Sequence, residues 1–342
     1  MSVPLIQSTP KGLYCQEGDF YIDPWRPVDN AVITHAHSDH ARWGCKKYLA
    51  ADTNRAILPV RLGPKARLDF AALGEPNSIG GVTVTFVPAG HILGSTQVVI
   101  ERQGEVAVVS GDYKREADAT CKPFEPVRCH TFVTESTFGL PIYRWEEPAH
   151  VFDKINDWWR QNQVAGKTSL LLAYALGKAQ RLLAGVDPSI GPIYTHGAVE
   201  KLNAAYRESG IELPETQYVG AMPKETDFSR SLVVAPPAAA GTSWVRKLGS
   251  LSTAMASGWM QIRGTRRRRA MDRGFILSDH VDWLSLMKTI EETEAEEVWV
   301  THGYSDVVVR HLNEKGVNAK VVETEFTGEL LEGETEGVDS GD

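Results

Sequence analysis

The chain has 342 residues, enough for roughly two domains with sizeable cores. Its apolar fraction of 42% and charged fraction of 23% argue against a disordered or fibrous protein. A formal charge of −8 argues against a protein that coats nucleic acid by overall basicity, though a bound cation or a local basic patch would still attract a polyanion.

Cys15, Cys45, Cys121 and Cys129 are dispersed without a CxxC pair, which excludes a thiolate zinc finger and fits a reducing compartment. The first residues lack a basic stretch followed by an apolar one, so no secretory signal is expected. The apolar run near 169–176 is too short to span a bilayer. The expectation is a cytoplasmic protein with no membrane association.

Through about residue 135 the chain reads as short strands between tight turns, at 19–22, 31–34, 82–88, 96–102, 106–110 and 131–134. A helix is predicted near 148–162. Strand and helix then alternate at 169–173, 176–183, 193–195, 200–209 and 231–235, the pattern of an α/β unit with a parallel sheet. Near Gly274 the pattern returns to strand, followed by a helix at 282–292, a strand at 298–301 and a helix at 305–314. From about 329 the sequence is acidic and glycine-rich and predicts a disordered tail.

The decisive segment is Val32-Ile33-Thr34-His35-Ala36-His37-Ser38-Asp39-His40. Side chains alternate along an extended strand, so His35 and His37 point the same way, with Asp39 and His40 at the turn that follows. Imidazole nitrogens and carboxylate oxygens are what zinc or manganese accept where cysteine is absent. A solitary histidine is usually an ordinary surface or core residue; four such groups packed as HxHxDH point to metal. Further candidates stand where predicted strands run into loops: His91 in Pro88-Ala89-Gly90-His91, Asp112 in Ser110-Gly111-Asp112-Tyr113, and His302 in Val300-Thr301-His302-Gly303. Taken alone, Asp112 would be read as a turn residue.

This series resembles the metallo-β-lactamase superfamily, whose signature is HxHxDH followed by a His, an Asp and a further His. Thr134-Glu135-Ser136-Thr137-Phe138-Gly139 and Ser278-Asp279-His280 are similar to the first and second motifs of its β-CASP nucleases, and His302 to the third. Ala175-Leu176-Gly177-Lys178-Ala179-Gln180 also resembles that group. The opening, from Gly12-Leu13-Tyr14-Cys15 to Ala41-Arg42, is more narrowly similar to bacterial ligase-associated DNA damage response exonucleases. The resemblance implies an α/β fold: a metallo-β-lactamase αββα sandwich formed by 1–139 and 274–328, with an inserted α/β β-CASP domain at 140–273 and the acidic tail at 329–342.

It further implies two divalent ions, Zn²⁺ first and Mn²⁺ as the other choice. One would be held by His35, His37, His91 and Asp112, the other by Asp39, His40 and His302, with Asp112 bridging. A shared carboxylate keeps such ions about 3.5–4 Å apart, as two-metal phosphoesterases require, and a metal-bound hydroxide is the implied nucleophile. Asp23 corresponds to the acid that braces the HxHxDH loop, with a plain turn as the rival reading. His280 would be the general acid and Glu135 the group that orients it, with Asp39 also at the catalytic centre.

Arg263, Arg266, Arg267, Arg268, Arg269 and Arg273 form a basic run that offers phosphate contacts, though four consecutive arginines cannot all face one way. Lys178 and Ser257, each beside a glycine at a turn, are candidates for the same role, with helix capping as the rival. Trp43, Trp145 and Trp259 could stack on bases, although burial is the commoner fate of a tryptophan.

The resulting expectation is a DNA exonuclease of repair, partnered with nucleic acid and, by resemblance, with a DNA ligase or helicase. An RNA-processing β-CASP ribonuclease is the alternative, since a histidine at the third motif is typical of RNA enzymes. A small-molecule metallo-hydrolase and a non-catalytic scaffold rank lower, because the insertion suits a polymer and the implied ligand set is intact.

Overall fold

The computed structural model of the chain describes residues 4–262 and 271–325. The basic run at 263–269 and the acidic tail lie outside the described residues, apart from Arg273. Two compact units are present: one runs to Arg144 and resumes at Asp279, the other spans Trp145–Ser278.

The first unit opens with a six-stranded sheet in sequential order: β1 (Gln7–Thr9), β2 (Gly12–Cys15), β3 (Phe20–Ile22), β4 (Asn30–Val32), β5 (Lys47–Ala51) and β6 (Leu68–Ala71). The chain then enters a second sheet through β7 (Asn77–Ile79), β8 (Val82–Pro88), β9 (Thr96–Arg102), β10 (Glu105–Val109) and β11 (Thr131–Glu135). In β8 the alternation Val82, Val84, Phe86, Pro88 is buried while Thr83, Thr85 and Val87 are half-exposed, the period-2 signature legible in the sequence.

The second unit is built on an all-parallel sheet, with β12 (Thr168–Leu172), β13 (Ile193–Thr195), β14 (Gln217–Tyr218), β15 (Leu232–Ala235), β16 (Leu251–Ala256) and β17 (Arg273–Phe275) in the spatial order β14-β13-β15-β12-β16-β17. Every residue of the central β12 is buried, as expected of a parallel strand covered on both faces. Helix α2 (Pro148–Val164), which follows the short α1 (Leu58–Leu62), turns Val151, Ile155, Trp158 and Trp159 into this unit's core at helical spacing. Both indoles also find acceptors, Trp158 on Ser252 Oγ at 3.0 Å and Trp159 on the Arg230 carbonyl at 3.2 Å. Helices α3 (Lys178–Gly185) and α4 (Gly197–Glu208) also belong to this unit.

The chain returns to the first unit as α5 (Trp283–Thr293), β18 (Glu297–Thr301), α6 (Ser305–Glu314) and β19 (Ala319–Val321). The new strands extend the second sheet, whose order is β19-β18-β11-β10-β9-β8-β7. Asp282 caps α5 by accepting the Ser285 N–H at 2.8 Å. The two sheets pack face to face through residues such as Phe20, Ile22, Phe86, Val109, Val133 and Trp299. On the far side of the second sheet Val108, Phe132, Val298 and Val300 meet Leu286 and Ile290 of α5 and Val308 and Leu312 of α6. The result is an α/β sandwich.

Candidate metal centre

The site is assembled at strand exits. Strand β4 ends at Val32 and delivers Thr34 to His40; β8 ends at Pro88 before His91; β10, β11 and β18 lie side by side and lead to Asp112, Glu135 and His302. Register sets the depth of these side chains, with Val109 paired to Val133 and Glu135 to Thr301.

His35 Nε2 and His91 Nε2 lie 3.1 and 3.0 Å from His37 Nδ1. Asp112 Oδ2 stands 3.6 Å from His35 Nε2, 3.4 Å from His40 Nε2 and 3.8 Å from His91 Nε2. One donor atom from each of His35, His37, His91 and Asp112 therefore falls within 4.8 Å of all the others. Asp39 and His302 stand further out beside His40, with Asp39 Oδ2 3.7 Å from His40 Nε2 and the His40 and His302 rings 5.6 Å apart. A small cleft opens on Asp39, His40, Glu135 and His302.

The donors are braced. Asp23 accepts the Thr34 N–H at 2.8 Å and the Thr34 hydroxyl at 2.5 Å, and its Oδ2 lies 2.7 Å from His40 Nδ1. The His91 Nδ1 edge meets the Asp279 carbonyl at 2.6 Å. With Nδ1 so engaged, His40 and His91 turn Nε2 toward the centre, the arrangement that orients imidazole toward a metal. Gly111, immediately before Asp112, has φ +57°, and a Cβ there would lie 2.6 Å from Thr34 Oγ1. His302 has φ +52°, a conformation held by the Ser136 hydroxyl, which donates to the His302 carbonyl and to that of Thr301 at 3.1 Å.

Electrostatically the cluster is unbalanced without a cation. Burial, and then the neighbouring His40 and His91, hold His35 well below the ordinary imidazole range; burial and His280 do the same to His91. Burial opposes the charge on His40, yet the carboxylates of Asp112, Asp39 and Asp23 raise it well above that range. Burial likewise works against the Asp112 carboxylate, but His40 and His280 hold it well below the usual range. His40 Nε2 is buried and makes no hydrogen bond, a costly state for a polar atom that a metal ion would relieve. The donor set, all nitrogen and oxygen, fits a divalent cation of the zinc or manganese type.

Beside the cluster, His280 Nδ1 lies 2.9 and 3.1 Å from the two Glu135 oxygens and 4.0 Å from Asp112 Oδ2. Glu135 Oε1 also accepts the Tyr113 N–H at 2.8 Å. Both side chains are buried. Asp112, Glu135 and His280 themselves have donor atoms within 4.8 Å of one another, so this trio is also chemically able to hold an ion.

One residue with a place in this architecture carried no sequence signal. Lys114 is fully buried; its ammonium donates to the carbonyls of Gly90 at 2.5 Å and His91 at 2.7 Å and pairs with Asp118 at 2.7 Å. It ties the loop that carries Asp112 to the loop that carries His91. Its proximity to Asp112 was the available hint, but a lysine two residues from a turn reads as solvent-facing.

Other candidates fall elsewhere. Lys178 and Ser257 are fully buried within the second unit rather than on open surface. The Gly177 N–H is taken by the Gln180 side chain at 2.8 Å, and Ser257 Oγ accepts from Trp259 N at 3.3 Å, which are capping roles. Arg266 and Arg267 lie outside the described residues. Trp259 is buried, Trp145 is half-buried, and Trp43, against expectation, is 78% exposed.

No family model matches the chain. A protein of Opitutus terrae named probable DNA ligase is 28% identical over 90% of this chain and 30% of its own length. The endoribonuclease ysh-1 of Neurospora crassa is 30% identical over 57% of this chain and 27% of its own. Cleavage and polyadenylation specificity factor 73 of Drosophila melanogaster is 26% identical over 45% and 23%. The chain thus spans less than a third of the length of these relatives. A crystal structure of an Enterococcus faecalis protein of unknown function superposes with a TM-score of 0.59 at 13% identity, covering 86% of this chain and 79% of that one. That likeness concerns the fold.

Proposed function

We propose that the chain is a metal-dependent phosphodiesterase of the metallo-β-lactamase, β-CASP type that hydrolyses nucleic acid, and that its substrate is DNA cut from an end during repair. The observation that carries the hydrolase reading is the convergence of His35, His37, His91 and Asp112 on one point, with the buried His40 Nε2 facing the Asp112 carboxylate beside it. His35, His37, His91 and Asp112 would hold one divalent ion, and Asp39, His40 and His302 a second, Asp112 serving both. Bound there, such ions supply Lewis-acid stabilisation of the phosphoryl oxygens and activation of water.

The chain's own contribution is positioning and proton transfer. Asp23 and the Asp279 carbonyl fix the His40 and His91 rings. His280, oriented by Glu135, would donate a proton to the departing sugar oxygen through Nε2 while the carboxylate stabilises the charged ring. A second folded unit with its own parallel sheet and core is more machinery than a small substrate needs, which favours a polymer.

The DNA reading draws on the relative named probable DNA ligase, which aligns with most of this chain. A second reading, RNA cleavage, is favoured by the relatives named endoribonucleases and by the histidine at position 302. Incubating purified protein with end-labelled single- and double-stranded DNA and RNA, with Zn²⁺ or Mn²⁺ added, separates them. Metal-dependent shortening of DNA from one end is expected. Cleavage of RNA alone favours the second reading. Turnover of bis-p-nitrophenyl phosphate with every polynucleotide untouched overturns both.

A further inference from the structure

Trp43 lies three residues beyond His40, so chain length alone keeps its Cα within about 11 Å of that of the candidate ligand. It is 78% exposed, unlike Trp25, Trp158, Trp159, Trp259, Trp283 and Trp299, which are all buried. The backbone beneath it is fixed on both sides. Tyr48, itself buried, donates its hydroxyl to the Arg42 carbonyl at 2.8 Å and accepts the Cys45 N–H at 2.8 Å. Ahead of it, Ala41 N–H bonds the His37 carbonyl at 2.7 Å; behind it, Lys46 N–H bonds the Val28 carbonyl at 3.0 Å. Gly44, at φ +100°, makes the reversal between the two anchors.

An indole held outward on a braced loop gives up its own burial but loses little entropy on meeting a flat partner. The flanking sequence Ala41-Arg42-Trp43-Gly44-Cys45-Lys46-Lys47 carries three cations and no acid, although Lys46 is shared with Asp29 at 2.8 Å. An exposed aromatic set among basic side chains is the combination that single-stranded nucleic acids use: a ring for a base and charges for the adjoining phosphates.

We propose that Trp43 is a stacking platform for one unpaired base of the substrate strand, next to the bond presented to the metal centre. The inference rests on the nucleic-acid reading above and adds that the strand entering the site is single-stranded there. The ring stacks irrespective of base identity, so it contributes grip and register rather than sequence choice.

The test is fluorescence-anisotropy binding of labelled single-stranded DNA and RNA oligonucleotides with cleavage-resistant phosphorothioate linkages to the full-length, metal-loaded protein. Wild type, Trp43→Phe and Trp43→Ala are compared, each strand being scanned with one abasic position at a time. Trp43→Ala is expected to weaken binding about 5- to 150-fold, the range for loss of one stacked base, with Trp43→Phe close to wild type. One abasic position should weaken the wild type and leave Trp43→Ala unaffected. Equal binding by all three proteins, or the same abasic profile in wild type and Trp43→Ala, overturns the platform. A wild type that binds no oligonucleotide of either kind instead overturns the nucleic-acid reading on which it rests.

Discussion

The Glu135 carboxylate and the His280 imidazole meet at 2.9 Å although 145 residues separate them in the chain. The pair is buried beside the Asp112 carboxylate, where His280 could serve as an acid or as a ligand, and substitution separates the two roles. His280→Ala is expected to retain its metal by elemental analysis and to lose roughly 10²–10⁴-fold in turnover of an oligonucleotide. The loss should shrink with a nitrophenolate leaving group, which departs without protonation. Glu135→Gln should act in the same direction and more gently. Loss of metal in His280→Ala would make it a ligand, as the Asp112, Glu135 and His280 cluster would then require.

Asp23 is not among the proposed ligands yet holds both Thr34 and His40. Asp23→Asn is expected to lower zinc affinity about 10- to 100-fold, measured by competition with a chromogenic chelator. Thr34→Val should show part of the same loss. An unchanged affinity in Asp23→Asn would reduce Asp23 to a turn residue.

Lys114 is matched to the nearly inaccessible Asp118, and removing one partner strands the other's charge. Lys114→Met should cost about 3–5 kcal/mol in a denaturant titration. The double variant Lys114→Met with Asp118→Asn should recover part of that loss. A double variant no more stable than Lys114→Met would show that the ammonium's bonds to the Gly90 and His91 carbonyls matter more than the ion pair.

His196 caps α4 by accepting the Ala198 N–H on Nδ1 at 3.2 Å, a role that requires the neutral ring. Burial lowers its pKa below the ordinary 6.5, so under acidic conditions the unfolded chain takes up the proton first. Stability from this group is present above about pH 6.5 and falls as the pH drops through that value. His196→Asn keeps a capping acceptor without a titrating group. Thermal scans at pH 7.5 and 5.5 should therefore show a smaller acid-induced drop in Tm for His196→Asn; identical drops would remove His196 as the cause.

Local pattern carried much of the architecture. Alternation in 82–88 and 96–102 and the apolar texture of 168–172 located strands because burial on one or both faces constrains nearly every residue there. His35, His37, Asp39 and His40 could be read as a group because one strand exit holds them all. Lys114 and Ser136 could not, since each acts on the backbone of a loop far away in sequence, and backbone carbonyls leave no imprint on residue type. The burial of Lys178 and Ser257 was equally hidden, because glycine-flanked polar residues at a helix start look the same in sequence whether they face the core or solvent. The exposure of Trp43 depends on the Tyr48 clamp beneath it, which no spacing rule encodes.

Strand β18 lies against β11 in the sheet, yet it is synthesised some 160 residues later, after the whole second unit. During translation, β11 therefore emerges with one edge unpaired and waits for Glu297–Thr301 to close it. An open edge of this kind is a template for pairing with other chains. A chain arrested or cleaved before Thr301 lacks His302 and keeps that edge bare, so truncated products should aggregate rather than persist as a weakened enzyme.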